Sequence, residues 1–386
     1  MPPHSQVQKA VICTPRGFCA GVEMAIKALS WMLRLFGPPV YCYHEIVHNK
    51  WVVKTFMRAG VIFIDDPQDM PSGYPLMLSA HGSAPEIVQT AHEKTTIIVN
   101  AVCPLVTKVH HEARTRAKKG MQIIYIGHAG HDEAVGTMAE APAAMHLVQD
   151  LADLEALPLT NETPTALLAQ TTLAHSEWAE IREEATRRYP SLWTPGRSDL
   201  CFATTNRQKA VRTLAPNVDL FVIIGSENSS NTQALVRVAK ETGCPRAIRI
   251  EGPEDITKEL IGETRTVGVT AGASAAESVV AAVVAAINPV TQESLEVTTE
   301  DEYFPLPREL RAFLRGLDTS LRLFFGETFE RSRVDSSDRD VTAAWALENL
   351  SLLHDPGLHD PGLSSSTNVR QQIAGEKFKD PNTTAQ

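Results

Sequence analysis

Three of the six cysteines in this 386-residue chain lie in settings that could support chemistry. Cys19 sits between Arg16-Gly17-Phe18 and Ala20-Gly21, Cys103 between a strand-like run and Pro104, and Cys201 opens Phe202-Ala203-Thr204-Thr205-Asn206-Arg207. A lone cysteine is more often a small core residue. Cys13, Cys42 and Cys244 lack such turn settings and are read as packing or surface residues. Three distant thiolates meeting at one point could hold zinc or an iron-sulfur cluster, and spacing does not choose between them. A cluster held by only three protein thiolates would keep one iron open for a substrate oxygen. Electron delivery and Lewis-acid activation would then act together, which suits reductive removal of a hydroxyl.

A second group of residues points to an anion. His48, His81 and His131 fall in His44-Glu45-Ile46-Val47-His48-Asn49, Ala80-His81-Gly82 and Gly130-His131-Asp132-Glu133. Beside turn glycines they suggest a cationic or hydrogen-bonding pocket, since imidazole donates to phosphate and exchanges protons near neutral pH. Ser229-Ser230-Asn231 and Ser274 are expected to open helices, where free backbone N–H groups suit phosphate oxygens. Ordinary helix capping explains either serine site alone, but two such sites with three histidines favour a diphosphate. Glu133, two residues after His131 on a glycine-rich turn, is the candidate proton carrier if burial tunes it. The near-match of His44 to His48 to the HExxH pattern is not read as zinc-protease chemistry.

Short β-branched runs must position these residues. Lys9 to Cys13, Val61 to Ile64, Leu76 to Ser79, Thr96 to Val102, Gln122 to Ile126, Thr165 to Ala169, Val218 to Ile224, Ala247 to Ile250 and Thr266 to Thr270 read as strands. They alternate with helical patterns, as in a largely parallel α/β fold. Ligands of such sheets bind beyond the carboxyl ends of the strands, where the unusual residues lie. The three cysteines are spaced by 84 and 98 residues, which hints at three similar α/β units without a detectable repeat. The expected boundaries are 9–103, 104–200 and 201–311. Beyond them, Phe313, Leu317, Leu321 and Phe324 recur at helical spacing in a 312–386 extension, an amphipathic helix followed by a polar, disordered tail carrying two copies of HDPGL.

Composition closes off several classes. A net charge of −10 argues against a general nucleic-acid binder. No apolar run approaches the roughly 20 residues of a membrane span, the N-terminus lacks a signal-peptide core, and a cytoplasmic location is expected. Neither a P-loop nor a GxGxxG after a strand is present, so electrons would need an external donor.

Pro15-Arg16-Gly17-Phe18-Cys19-Ala20-Gly21-Val22, His44 to Asn49 and Cys103-Pro104-Leu105-Val106-Thr107-Lys108-Val109-His110 together resemble the 4-hydroxy-3-methylbut-2-enyl diphosphate reductase (LytB/IspH) family. Gly127 to His131, Gln170-Thr171-Thr172-Leu173, Ala203 to Gln208, Asn228 to Asn231 and Thr270 to Ser274 extend the match in the family's order, over roughly residues 9 to 311. The resemblance implies three α/β domains in pseudo-threefold arrangement around one 4Fe-4S cluster held by Cys19, Cys103 and Cys201. It implies two-electron dehydroxylation of the hydroxylated diphosphate to isopentenyl and dimethylallyl diphosphate, the last step of the non-mevalonate pathway. His48, His81, His131, Ser229, Ser230, Asn231 and Ser274 would hold the diphosphate, Glu133 would deliver protons, and Thr171 would orient the substrate hydroxyl. Asn100-Ala101-Val102, Ser83-Ala84 and Ala134-Val135 depart from the family's usual residues. Two other readings remain at this level: another three-cysteine 4Fe-4S enzyme of quinolinate-synthase type, or a non-catalytic cluster-binding paralogue.

Overall fold

The computed structural model describes residues 6–325, 338–339 and 341–350. Its first stretch runs β1 (Lys9–Thr14), α1 (Ala20–Phe36), β2 (Val40–Tyr43), α2 (Lys50–Arg58), β3 (Val61–Ile64), β4 (Leu76–Leu78), α3 (Pro85–Lys94), β5 (Ile98–Asn100) and α4 (Pro104–Lys118). Next come β6 (Gln122–Ile126), α5 (Asp132–Met138), β7 (Met145–Val148), α6 (Leu151–Glu155), β8 (Thr165–Ala169), α7 (His175–Arg188) and α8 (Phe202–Leu214). The remainder is β9 (Leu220–Ile224), α9 (Ser230–Glu241), β10 (Ala247–Ile250), α10 (Lys258–Ile261), β11 (Thr266–Ala271), α11 (Glu277–Ile287), β12 (Thr291–Glu296), α12 (Arg308–Phe325) and α13 (Ala343–Glu348).

The strands form three wholly parallel sheets, in the orders β10-β9-β11-β1-β12, β3-β2-β4-β5 and β7-β6-β8. Helical crossovers flank the sheets, and internal strands are buried along their whole length, as in Leu220–Ile224 and Val40–Tyr43. Parallel α/β layers are as the sequence predicts, while the three sheets differ in strand number. The strand at Lys9, expected to open the first unit, instead pairs with β11 and β12 and belongs to the sheet built from the end of the chain.

Three strands were invisible to pattern: β2, β7 and β12. β12 reads Thr-Gln-Glu-Ser-Leu-Glu, largely exposed at a sheet edge, and its pairing with β1 is joined by an ion pair between Lys9 and Glu293. β2 is short and buried throughout. Helix α12 forms as expected, with Phe313, Leu317 and Phe324 on its exposed face. Leu310 and Leu314 are the side chains that enter the core. The extension is also not wholly without structure, since α13 packs its Ala343, Leu347 and Leu350 into the core that contains α1. The HDPGL copies and the polar tail lie outside the described residues.

Candidate active site

Nearly all the singled-out residues follow the carboxyl end of a strand. His48 follows β2, His81 β4, Cys103 β5, His131 β6, Thr171 β8, Ser229 to Asn231 β9, and Ser274 β11, while Cys19 lies in the loop after β1. Cys201 follows no strand but is fastened to one: its N–H donates to the carbonyl of Thr171 at 3.0 Å. Each sheet therefore supplies one cysteine, and all twelve predicted residues line a single cavity. The cavity also includes Thr172, Thr204 and Phe304, which the sequence reading did not single out.

The cysteines are the N-caps of α1, α4 and α8, so each sulfur stands at a helix start whose dipole favours a thiolate. None forms a disulfide. A side chain at Gly21 would place its Cβ 3.0 Å from the Cys103 sulfur and 4.0 Å from that of Cys19, so the glycine leaves room where two sulfurs converge. Burial and the neighbouring Cys19 push the Cys201 thiol up to about 11, and the Cys103 thiol higher still. The crowded, desolvated sulfurs of Cys103 and Cys201 are poor thiolates alone, and a soft multiply charged metal group would reverse that balance. The donor set thus fits an iron-sulfur group, and Cys19, Cys103 and Cys201 would hold it.

A hydrogen-bonded chain ties these thiols to the anion pocket. The Cys201 sulfur lies 3.1 Å from the Thr204 hydroxyl and accepts from the Thr204 N–H at 3.2 Å. Asn231 donates to the Thr204 hydroxyl at 3.3 Å and accepts from the Ala273 N–H at 3.0 Å, and the Ala273 carbonyl accepts from the Cys19 N–H at 3.1 Å. Thr204 could have been found at the position where an N-cap side chain bonds the third residue of the helix.

In the pocket itself, His48 and His81 stack with ring centroids 3.8 Å apart, and His131 stands edge-on to both. Nε2 of His48 and Nδ1 of His81 are buried without a hydrogen-bond partner, each facing the Asp132 carboxylate at 3.8 and 3.6 Å. Burial and nearby His48 hold His81 well below the usual histidine range and bring His131 to about 3, so both rings are neutral before an anion arrives. Asp132 was missed. It accepts from Nδ1 of His44 at 2.9 Å, and although burial opposes its ionisation, the His44 hydrogen bond and the surrounding histidines keep it charged.

The letters His44-Glu45-Ile46-Val47-His48 do complete HExxH, yet that motif requires one helix face and this stretch has none. His44 has φ 56°, and the helix starts only at Lys50.

Ser229 caps α9, accepting from the Thr232 N–H at 3.4 Å, while the Ser230 hydroxyl accepts from Gln170 at 3.1 Å. Ser274 does not open a helix. It lies in a turn three residues before α11 and donates to the His48 carbonyl at 2.9 Å.

Glu133 is likewise not on a turn but in the first turn of α5, 2% exposed. Its carboxylate accepts from the Thr171 N–H at 2.7 Å and the Thr171 hydroxyl at 2.9 Å. Burial still prevails over these bonds and raises the carboxyl to about 7. A group poised there can hold or release a proton near neutrality.

A parallel α/β scaffold that gathers one thiol from each of three sheets beside an imidazole-lined anion pocket defines a protein built to hold a thiolate-bound metal group next to an anionic ligand. The LytB protein family model matches residues 10–288, and the chain belongs to that family. It is 46% identical over 308 residues to the 4-hydroxy-3-methylbut-2-enyl diphosphate reductase of Rhodopirellula baltica, covering 79% of this chain and 96% of the relative. It is 42% identical over 306 residues to the enzyme of that name from Methylocella silvestris, covering 78% and 96%. Among solved structures, it superposes on the E-1-hydroxy-2-methyl-but-2-enyl-4-diphosphate reductase of Plasmodium falciparum with a TM-score of 0.78 and 32% identity, over 81% of this chain and 99% of that one.

Proposed function

We propose that this chain is a 4-hydroxy-3-methylbut-2-enyl diphosphate reductase of the non-mevalonate pathway, converting its substrate by two electrons and two protons into isopentenyl or dimethylallyl diphosphate and water. The observation that carries this reading is one cavity holding three thiols, an anion pocket and a buried carboxyl poised near neutrality. Its nearer relatives carry the reductase name, and no described helix is long and apolar enough to cross a membrane. A cytoplasmic location accords with that.

Cys19, Cys103 and Cys201 would hold a 4Fe-4S cluster, which when bound would relay the donor's electrons and polarise the substrate hydroxyl as a Lewis acid. The protein does the rest. His48, His81 and His131 bind the diphosphate through ring N–H groups, with further donors from the Ser229 to Asn231 segment at the start of α9 and from Ser274. Thr171 orients the substrate hydroxyl, its own hydroxyl already directed to Glu133. Glu133 delivers protons as the C–O bond breaks and water leaves. Phe202 and Phe304, packed edge to face, help exclude solvent from the thiol side.

Electrons come from a separate ferredoxin- or flavodoxin-type protein. The anion pocket favours this function over that of a three-cysteine dehydratase acting on carboxylates. Anaerobically loaded protein incubated with the hydroxylated diphosphate and a reduced low-potential dye should form both isoprenoid diphosphates. Loaded protein that leaves the substrate untouched would refute the reading.

A further inference from the structure

Helix α1 begins at its N-cap Cys19 and presents Glu23, Lys27 and Arg34 along the side that meets the end of the chain. Lys27 and Asp338 are only 5% and 10% exposed at their side chains. The Lys27 ammonium donates to the Asp338 carbonyl at 2.7 Å and lies 3.6 Å from its carboxylate, with the Tyr303 ring 5.4 Å away. The Tyr303 hydroxyl donates to the same carboxylate. One turn closer to Cys19, the Glu23 carboxylate accepts from the Ala343 N–H at 2.7 Å, so a side chain of α1 caps the start of α13. At the far end, Arg34 lies 5.4 Å from the Trp345 ring. Leu347 and Leu350 close the contact by entering the core shared with Ile26, Leu29 and Leu33.

This docking belongs to residues outside the 10–288 span matched by the family model. It also walls the thiol side. Arg339 and Thr342 line a cavity of about 310 Å³ together with Phe18 and Ala20, which flank Cys19, and Phe202, which follows Cys201. A buried lysine requires partners, and without the Asp338 carboxylate the ammonium, two turns from the first cysteine, would keep only the Asp338 carbonyl and the Glu23 carboxylate one turn away.

We infer that residues 338–339 and 341–350, anchored by Glu23 and Lys27, are a clasp that fixes the Cys19 helix and thereby sets how firmly the iron-sulfur group is retained. Asp338 and Lys27 are positioning residues acting through α1. The retention half of this inference rests on the function proposed above.

The test uses the full chain as wild type, Asp338→Asn and Asp338→Glu. Amide hydrogen exchange of residues 20–36 is measured on iron-free protein, and release of iron to a ferrous chelator on anaerobically loaded protein. Loss of a buried ion-pair partner should speed exchange of α1 by at least about tenfold, leaving residues 122–169 unchanged. Iron release should accelerate in step, and Asp338→Glu should stay near wild type in both. Unchanged α1 exchange, uniform acceleration across all three sheets, or faster exchange with unaltered iron release would each overturn the clasp. A wild-type chain that takes up no iron refutes the functional reading instead, and the exchange result alone then decides whether the clasp exists.

Discussion

Thr171 joins the buried carboxyl to the third cysteine: its N–H and hydroxyl both donate to Glu133, while its carbonyl accepts from the Cys201 N–H. One residue, two positions beyond β8, thus ties the buried carboxyl to the loop of Cys201.

This arrangement makes the activity depend on pH through Glu133. A carboxyl raised to about 7 donates while protonated, so turnover should fall as pH climbs through 7, and Glu133→Gln should cost at least about a hundredfold in kcat and abolish that limb. Steady-state rates between pH 6 and about 8.5 check it.

The same group predicts a stability trend of defined sign. The folded-state carboxyl sits at about 7 against 4.5 for the free group, so the folded state binds the extra proton, and its contribution is lost as pH rises from 4.5 through 7. Glu133→Gln can keep both Thr171 contacts without the charge. It should therefore be more stable than wild type at pH 8, by up to about 3 kcal/mol, with little gain at pH 4. Urea unfolding at the two pH values measures the difference, and equal effects at both would contradict it.

Gly21 separates metal binding from folding. Alanine at this helix position costs the helix nothing, but its methyl would stand 3.0 Å from the Cys103 sulfur. Gly21→Ala should unfold at or near the wild-type temperature when iron-free, yet hold clearly less iron after reconstitution. Full iron content would remove the inference that two sulfurs converge there on a metal group.

The neutral histidines predict proton-linked binding. His81 and His131 are held low by burial, and an incoming anion favours their charged forms. Inorganic diphosphate should bind with uptake of protons and more weakly as pH rises from about 6 to 8. Calorimetry in buffers of different ionisation enthalpy reads the proton count directly, and a count of zero would show that the rings do not respond to the ligand.

The loops that carry Cys19, His81, Cys103, Thr171 and Asn231 were legible because each follows a buried apolar run or opens a helix, and both leave local signals in the sequence. Glu133 was legible as a candidate but not as a buried acid, since its environment is made by Thr171, 38 residues on. Asp132 was missed for the same reason: its partner His44 is 88 residues away, on another sheet's loop. Which face of α12 meets the core could not be read from helical spacing, on which Leu310, Leu314 and Phe313 have equal claims, and packing settles it. Strand β1 could not be assigned to its sheet from sequence, because pairing with β11 and β12 is a long-range choice of backbone register.

The central claim is that Cys19, Cys103 and Cys201 hold a 4Fe-4S cluster with one iron open to the diphosphate substrate. Mössbauer spectroscopy of anaerobically prepared, iron-57-loaded protein, before and after adding the hydroxylated diphosphate, tests it most directly. The account predicts one iron site distinct from the others, whose signal alone shifts when substrate is added. Zinc in place of iron, or a cluster whose spectrum ignores the substrate, would contradict it.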